Sequence, residues 1–323
     1  MNILHLESER YSYEALSRLR PIGDVNEVAC NSQSELLRIL EKNEYDVIFI
    51  KLGLYFDKEV LRTQNRLKYV ITPTTGLNHI DTDAFKEAGV EIISLKGESK
   101  FLENIKSTAE HTWGLLLTLV RQTIAAHQNV LDGYWSRNDF IGMELNRKTL
   151  GIIGYGRLGK IVAKYGIAFG MEVLVYDTND SIDKNGNKIS FTTLPKLLKN
   201  SDVITLHIPY ADSNNKFIDN DEIGMMKNEV IFLNTSRGEV ICEEALLNAL
   251  QSGKIGGAAL DVLDEDSSWD ECTPRNHKLI DYANSHKNLL LTPHIGGYTK
   301  EAIKNTRNFI VDKFISIIME EGR

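Results

Sequence analysis

Cysteine is scarce in this chain. Its 323 residues include three, Cys30, Cys242 and Cys272, far apart and odd in number. They make no CxxC pair, which excludes a disulfide framework and suits a reducing cytoplasm. Long apolar runs are missing as well. None approaches the ~18 residues that a membrane span needs. The opening MNILHLESER reads as a short strand followed by charge, not as a signal peptide, so a cytoplasmic protein is expected. Positive charge is in deficit, with 37 Lys and Arg against 45 Asp and Glu. The net charge of −8 and the lack of any basic block argue against nucleic acid as a partner. There is no low-complexity segment, no short repeat and no metal-ligand spacing.

What the chain does have is alternation. Short apolar, β-branched runs follow one another with helical pattern between them, the mark of a parallel α/β protein. At 42 % hydrophobic residues, the length suits about two domains of ~150 residues each. In the first third, strands are expected at residues 2–6, 47–50, 69–71 and 91–94, with a helix at 34–42. A boundary falls near residue 100, in the polar stretch LKGESKFLEN. Ser107-Thr108-Ala109-Glu110 then has the form of a capping box opening a long apolar helix. Six further strands are expected at 150–153, 172–176, 203–207, 230–233, 257–261 and 289–291, as in a doubly wound sheet. A last helix, from 300 to about 320, has no strand after it. It either caps the second domain or returns to the first.

The most informative stretch is LGIIGYGRLG, residues 150–159. An apolar strand runs into glycines 154, 156 and 159, and helical pattern follows at once. Gly154 permits the tight turn, Gly156 lets backbone approach a pyrophosphate, and Gly159 lets the helix pack close to the strand. The helix start offers free N–H groups to phosphate. A second strand ends on Asp177, 18 residues past Gly159, near the ~20 expected for a carboxylate that takes a ribose hydroxyl. That carboxylate repels a 2′-phosphate, and no arginine follows it, so NAD is favoured over NADP.

Three more segments follow strands downstream. Asn234-Thr235-Ser236-Arg237-Gly238 presents an arginine suited to a carboxylate. The run from Ala259 to Asp266 ends in acids. Leu291-Thr292-Pro293-His294-Ile295-Gly296-Gly297 holds a histidine whose backbone is set by proline and glycines. Hydride transfer to a 2-oxo acid needs a cation for the carboxylate, a proton donor at the carbonyl, and an acid to orient that donor. Imidazole suits the proton role near neutral pH. The other histidines read as ordinary: His5 on a strand, His111 and His127 on helices, His277 and His286 in polar loops.

With these residues in view, the chain resembles the D-isomer-specific 2-hydroxyacid dehydrogenases, the family of D-3-phosphoglycerate, glycerate and D-lactate dehydrogenases. The similar motifs are LGIIGYGRLG with the later YD, LHIP, NTSRGEVI, GAALDV and LTPHIGG, and in the first half TTGLNHIDTDAF and STAEHTWGLLL. The resemblance implies two Rossmann-like domains. A flavodoxin-like substrate domain takes residues 1–102 plus 298–323, and a doubly wound NAD-binding domain takes 103–297. It also implies a homodimer through the NAD domain, and NAD-dependent interconversion of an (R)-2-hydroxy acid and a 2-oxo acid.

By resemblance, Arg237 orients substrate, His294 is the general acid/base and Asp266 fixes its imidazole. Backbone around Thr75 and Gly76 clamps the substrate carboxylate. Gly154, Tyr155, Gly156, Arg157, Leu158 and Gly159 form the pyrophosphate turn, and Asp177 is the ribose acid. His207 and Pro209 flank the adenosine, Thr235 and Ser236 line the floor, and Asp261 lies near the nicotinamide amide. Thr108, Gly296 and Gly297 complete the cofactor set.

Three departures stand out. The family usually has glutamate where this chain has Asp266, one methylene shorter, so its contact with His294 is expected to lengthen or to need a shifted loop. Glu265 takes its place if the register slips by one. A polar insertion, 267–276, enlarges the loop over the site. Thr74 stands where glycine is common, and the loop 96–104 is long. The competing class is an NADH-sensing, corepressor-like protein without turnover, which steady turnover of any 2-oxo acid excludes. Formate-type oxidation is a third reading, matched less well by NTSRG and LTPHIGG.

Overall fold

A computed structural model describes residues 1–179, 189–266, 269 and 272–321. It divides into two compact units. The first holds residues 1–102 and 298–321, together with the described residues of 269–273. Its strands β1 (Asn2–His5), β2 (Asp24–Glu27), β3 (Val47–Phe49), β4 (Tyr69–Ile71) and β5 (Glu91–Ile93) form one parallel sheet ordered β2-β1-β3-β4-β5. That is the flavodoxin-like order. Every position of β3 and β4 is buried, as in a parallel sheet covered on both faces. The expected linker near residue 100 is partly helical, at Ser99–Leu102.

The C-terminal helix Lys300–Glu321 belongs to this first unit. Phe314 stands edge-on to Phe49 and Tyr69. Arg307 reaches Glu7 at 2.6 Å, with both side chains buried.

The second unit holds residues 103–266 and 274–297. Its strands are β6 (Thr149–Ile153), β7 (Glu172–Tyr176), β8 (Ile189–Phe191), β9 (Val203–Leu206), β10 (Val230–Asn234), β11 (Ile255–Leu260) and β12 (Leu289–Leu291). The sheet order is β12-β11-β10-β9-β6-β7-β8, parallel throughout. The order reverses between β6 and β9. In open α/β sheets ligands bind at such a switch point, beyond the carboxyl ends of the strands.

Two edge strands escaped the sequence reading. β2, with the sequence DVNE, has one apolar residue and is mostly exposed. β8 has three half-exposed or exposed residues and makes the second sheet seven-stranded rather than six-stranded. Edge strands bury little, so they lack the apolar run that marks a central one.

The capping box is a second correction. The helix Ser107–Val120 begins at Ser107 with Lys106 as its N-cap, and no side chain caps it. The first intrahelical bond runs from Glu110 N to Lys106 O. Ser107 and Glu110 therefore stand one position too late for a box, and the buried Ser107 Oγ has no partner among the described residues. Leu115, Leu116 and Leu119 of this helix join the second unit's core with Leu150, Val203 and Leu233.

Candidate active site

The glycine turn follows β6 at the switch point. Gly154 has φ +94°, and a Cβ there would meet the His207 carbonyl oxygen at 2.6 Å. A Cβ on Gly159 would lie 2.1 Å from the Gly154 carbonyl oxygen. One glycine is thus demanded by conformation and the other by the approach of helix Arg157–Ala168. A Cβ on Gly156 would meet nothing within 4 Å, so the close approach at that position is left to a ligand. Gly156 is the N-cap of the helix and offers no side chain, which leaves the helix start to an anion. Arg157 donates from Nη1 to the Ile105 carbonyl at 2.8 Å.

Asp177 stands at the end of β7 beside this turn. Its Oδ2 accepts from Tyr155 N at 2.6 Å and its Oδ1 from Asn179 N at 2.8 Å. His207, after β9, accepts no proton at neutral pH, because burial pulls its pKa down to about 4. Its Nε2 lies 3.1 Å from Thr205 Oγ1. Pro209 is held by its carbonyl, which accepts from Asn214 Nδ2 at 2.7 Å. An open Gly156, an uncapped helix start and a carboxylate at the next strand end fit a dinucleotide.

Beyond β11 sits Asp261, 2 % exposed. Its Oδ2 accepts from Gly296 N at 2.7 Å, and its Oδ1 from Ile295 N at 2.9 Å and Thr292 Oγ1 at 2.5 Å. His111 Nε2 approaches Asp261 Oδ1 at 3.1 Å and Thr292 Oγ1 at 3.0 Å. The carboxylate only accepts and the threonine proton is already given to it, so His111 Nε2 carries the proton. Burial pushes the Asp261 pKa up, but the bonds from His111, Thr292, Ile295 and Gly296 outweigh it and hold the group below its ordinary range.

That buried carboxylate fixes the backbone that carries His294. The Asp261 carbonyl accepts His294 N at 2.8 Å, and His294 itself has φ +54°. Left-handed backbone at a non-glycine residue persists only where surrounding bonds over-determine it, and here the next two N–H groups are held by one side chain. His294 Nδ1 lies 3.0 Å from Asp266 Oδ2. Between the two acids left open by the sequence, the structure sets Asp266 on the imidazole. The shorter side chain reaches because the turn is tight. Glu265 has φ +59°, Asp266 N donates to Leu263 O at 3.2 Å, and Asp266 Oδ2 accepts from Leu263 N at 3.3 Å.

Arg237 follows β10 and is half-buried, with Nη1 donating to the Ser236 carbonyl at 2.6 Å. The buried Asn234 shapes its turn. Asn234 Oδ1 accepts from Ser236 N and Oγ, and Nδ2 donates to the Arg237 carbonyl at 2.7 Å. Thr235 Oγ1 lies 2.7 Å from Thr112 Oγ1. A Cβ on Gly296 would come within 3.1 Å of Thr108 Cγ2, and Gly297 is exposed beside it.

Thr75 and Gly76 lie in the first unit, after β4, whereas the other residues singled out lie in the second. Their loop is closed by Thr74, whose Oγ1 donates to the Gly76 carbonyl at 2.8 Å. Of the insertion 267–276, residues 267, 268, 270 and 271 lie outside the described residues.

The residue the sequence reading passed over is His111. A signal for it exists. Thr108, His111 and Thr112 fall at i, i+3 and i+4 of a largely apolar helix, hence on one face. That face meets Gly296, Asp261 with Thr292, and Thr235.

Comparison with known proteins identifies the family. Residues 113–296 match the family model of the D-isomer specific 2-hydroxyacid dehydrogenase NAD binding domain. A hydroxypyruvate reductase of Thermotoga maritima is 34 % identical over 281 residues, covering 87 % of each chain. A D-3-phosphoglycerate dehydrogenase of Archaeoglobus fulgidus is 34 % identical over 97 % of this chain, which spans 56 % of that enzyme. Among solved structures, D-lactate dehydrogenase from Aquifex aeolicus, complexed with NAD and lactic acid, superposes with a TM-score of 0.83. It is 29 % identical, with 99 % of this chain and 96 % of that one covered.

Proposed function

The chain belongs to the D-isomer specific 2-hydroxyacid dehydrogenases, NAD-dependent oxidoreductases acting on CH–OH groups, and from that premise we propose that His294, Asp266 and Arg237 carry the interconversion of an (R)-2-hydroxy acid and its 2-oxo acid. The observation that supports this reading is the His294–Asp266 bond, at the same carboxyl-end edge of the parallel sheet that carries the dinucleotide turn. Bound NAD supplies the hydride acceptor, and NADH the donor. Asp266 accepts a hydrogen bond from Nδ1–H, which leaves the Nε2 lone pair of His294 to take the hydroxyl proton during oxidation. In reduction the imidazolium returns that proton to the carbonyl oxygen, with its charge balanced by Asp266. The guanidinium of Arg237 orients the carboxylate and carbonyl and favours developing negative charge. Asp261, with His111 behind it, holds the His294 turn. Thr75 and Gly76 supply main-chain groups for the carboxylate, and Asp177 takes the ribose hydroxyl.

The chain acts as a homodimer in this proposal. Ile124, Leu131, Tyr134, Trp135 and Ile141 are exposed apolar residues of the second unit between 124 and 141, and such a grouping marks a docking face. Light scattering that returns a monomer mass removes this part. The cytoplasm is the proposed location, on the strength of three unpaired cysteines.

The test is turnover. Pyruvate, glyoxylate, hydroxypyruvate and phenylpyruvate are each offered with NADH, and absorbance is followed at neutral pH. At least one is reduced steadily. His294→Gln keeps NADH affinity and loses turnover by at least about 10²-fold, in line with removal of a preorganised polar group. Near-native turnover in that variant refutes the assignment.

A further inference from the structure

The turn that carries Asp266 is held from outside the reacting residues. A third histidine–carboxylate pair, besides His294–Asp266 and His111–Asp261, stands behind it. Glu243 is the first residue of helix Glu243–Ser252, and His277 is the N-cap of helix Lys278–Ser285. Glu243 Oε1 accepts from Asp264 N at 2.9 Å, and Glu243 Oε2 lies 3.2 Å from His277 Nε2. Both side chains are largely shielded, with relative exposures of 23 % and 13 %. On its other side, the Leu263–Asp264 peptide lies directly against Gly238. The peptide is therefore clamped between a glycine and a carboxylate, two residues before Asp266.

We propose that Glu243, braced by His277, is a positioning residue for proton transfer: it fixes the Leu263–Asp266 turn at the height from which the short Asp266 carboxylate reaches His294. A glutamate in Asp266's place has one more methylene and tolerates a looser turn. An aspartate does not, and the left-handed Glu265 has to be held by bonds from elsewhere. Burial pushes the Glu243 pKa up, against the Asp264 N–H and His277 that favour its charge. The group thus accepts in a shielded place, where a hydrogen bond to backbone has the most geometric force. This inference rests on the reading that Asp266 orients His294.

A double-mutant cycle tests it, using NADH and the 2-oxo acid of the panel that is reduced fastest. Glu243→Ala in the wild-type background lowers kcat about tenfold, as expected when a reacting group is displaced by a fraction of an ångström, while NADH affinity stays within about twofold. In the Asp266→Asn background the same change costs less than about twofold, because groups that act through one another are not additive. Glu243→Gln keeps an oxygen for Asp264 N and restores most of the activity, and His277→Gln follows Glu243→Ala in direction. Equal losses in both backgrounds overturn the inference, as does an unchanged kcat with a lowered melting temperature. If Asp266→Asn alone leaves kcat intact, the role given to Asp266 above fails, and this inference falls with it.

Discussion

Gly238→Ala is a small change with a large expected consequence. A Cβ at this position lies 2.0 Å from the carbonyl carbon of Leu263, 2.1 Å from its oxygen and 2.4 Å from Asp264 N. All three are backbone atoms, so no side chain can swing aside. Ordinary contact begins at 3.4 Å, so reaching it takes a retreat of 3.4 − 2.0 = 1.4 Å, shared between the two backbones. Asp266 lies two residues further on, and its bond to His294 is 3.0 Å long. A polar contact stretched beyond about 3.5 Å no longer counts as a hydrogen bond, so even half of that retreat releases the imidazole. The expected loss in kcat is about 10²-fold, the usual consequence of a 1 Å misplacement. Overpacking should cost about 1–3 kcal/mol of stability. The assay is steady-state NADH oxidation, with NADH affinity measured by fluorescence and folding by circular dichroism. The dinucleotide turn follows a different strand, so NADH still binds, and any change in its affinity, through Thr235 and Ser236 of the same loop, stays smaller than the loss in kcat. A folded variant with kcat within threefold of wild type refutes the reasoning, because the turn would then not set the Asp266–His294 bond.

Other consequences follow from buried polar groups. Asp261→Asn keeps the shape but turns an amide N–H toward one of the donors that now bond the carboxylate, with an expected loss of about 1.5–3 kcal/mol in unfolding free energy and a lower kcat; unchanged values for both count against the loop-holding role. Because Asp261 titrates below its ordinary range, its stabilisation is complete above the unfolded carboxylate value and fades as pH falls through the folded one, so the variant should lose part of the acid sensitivity of wild type in urea titrations. His5 behaves differently. Burial, with Arg307 adding to it, lowers its pKa to about 3. The unfolded chain therefore binds a proton between about 3 and 6.5 that the folded chain refuses, and stability falls as pH drops across that window, by on the order of 3–5 kcal/mol at its foot. His5→Phe, which keeps the stacking on Phe49, should flatten that slope in urea midpoints; an unchanged slope refutes it.

How far the sequence reached depended on what was local. The glycine turn, its strand and Asp177 are contiguous, and their jobs follow from spacing. Central strands such as β9 are buried at every position and announce themselves as apolar runs. β2 and β8 lie at sheet edges, bury little and read as loop. The helix at Ser107 is legible in its apolar pattern, but the box is out of step by one residue, because a capping motif in sequence does not say where intrahelical bonding begins. The choice between Glu265 and Asp266 turns on one left-handed residue, and nothing in the letters D-E-D-S marks it.

His111 and Glu243 show why the rest stayed hidden. His111 meets Asp261 across 150 residues, and Glu243 meets Asp264 across 21, so neither contact has a spacing rule behind it. Both are polar groups on elements that otherwise pack apolar faces. Burying such a group without a partner costs several times what a surface substitution does, so its presence on a core-facing helix already implies a partner somewhere in the fold. In an α/β unit the buried acceptors available to such a partner cluster where strands end, because the ladder bonds stop there. A polar stripe such as Thr108, His111 and Thr112 on an apolar helix therefore points to the carboxyl ends of the strands, and through them to the residues that carry the reaction.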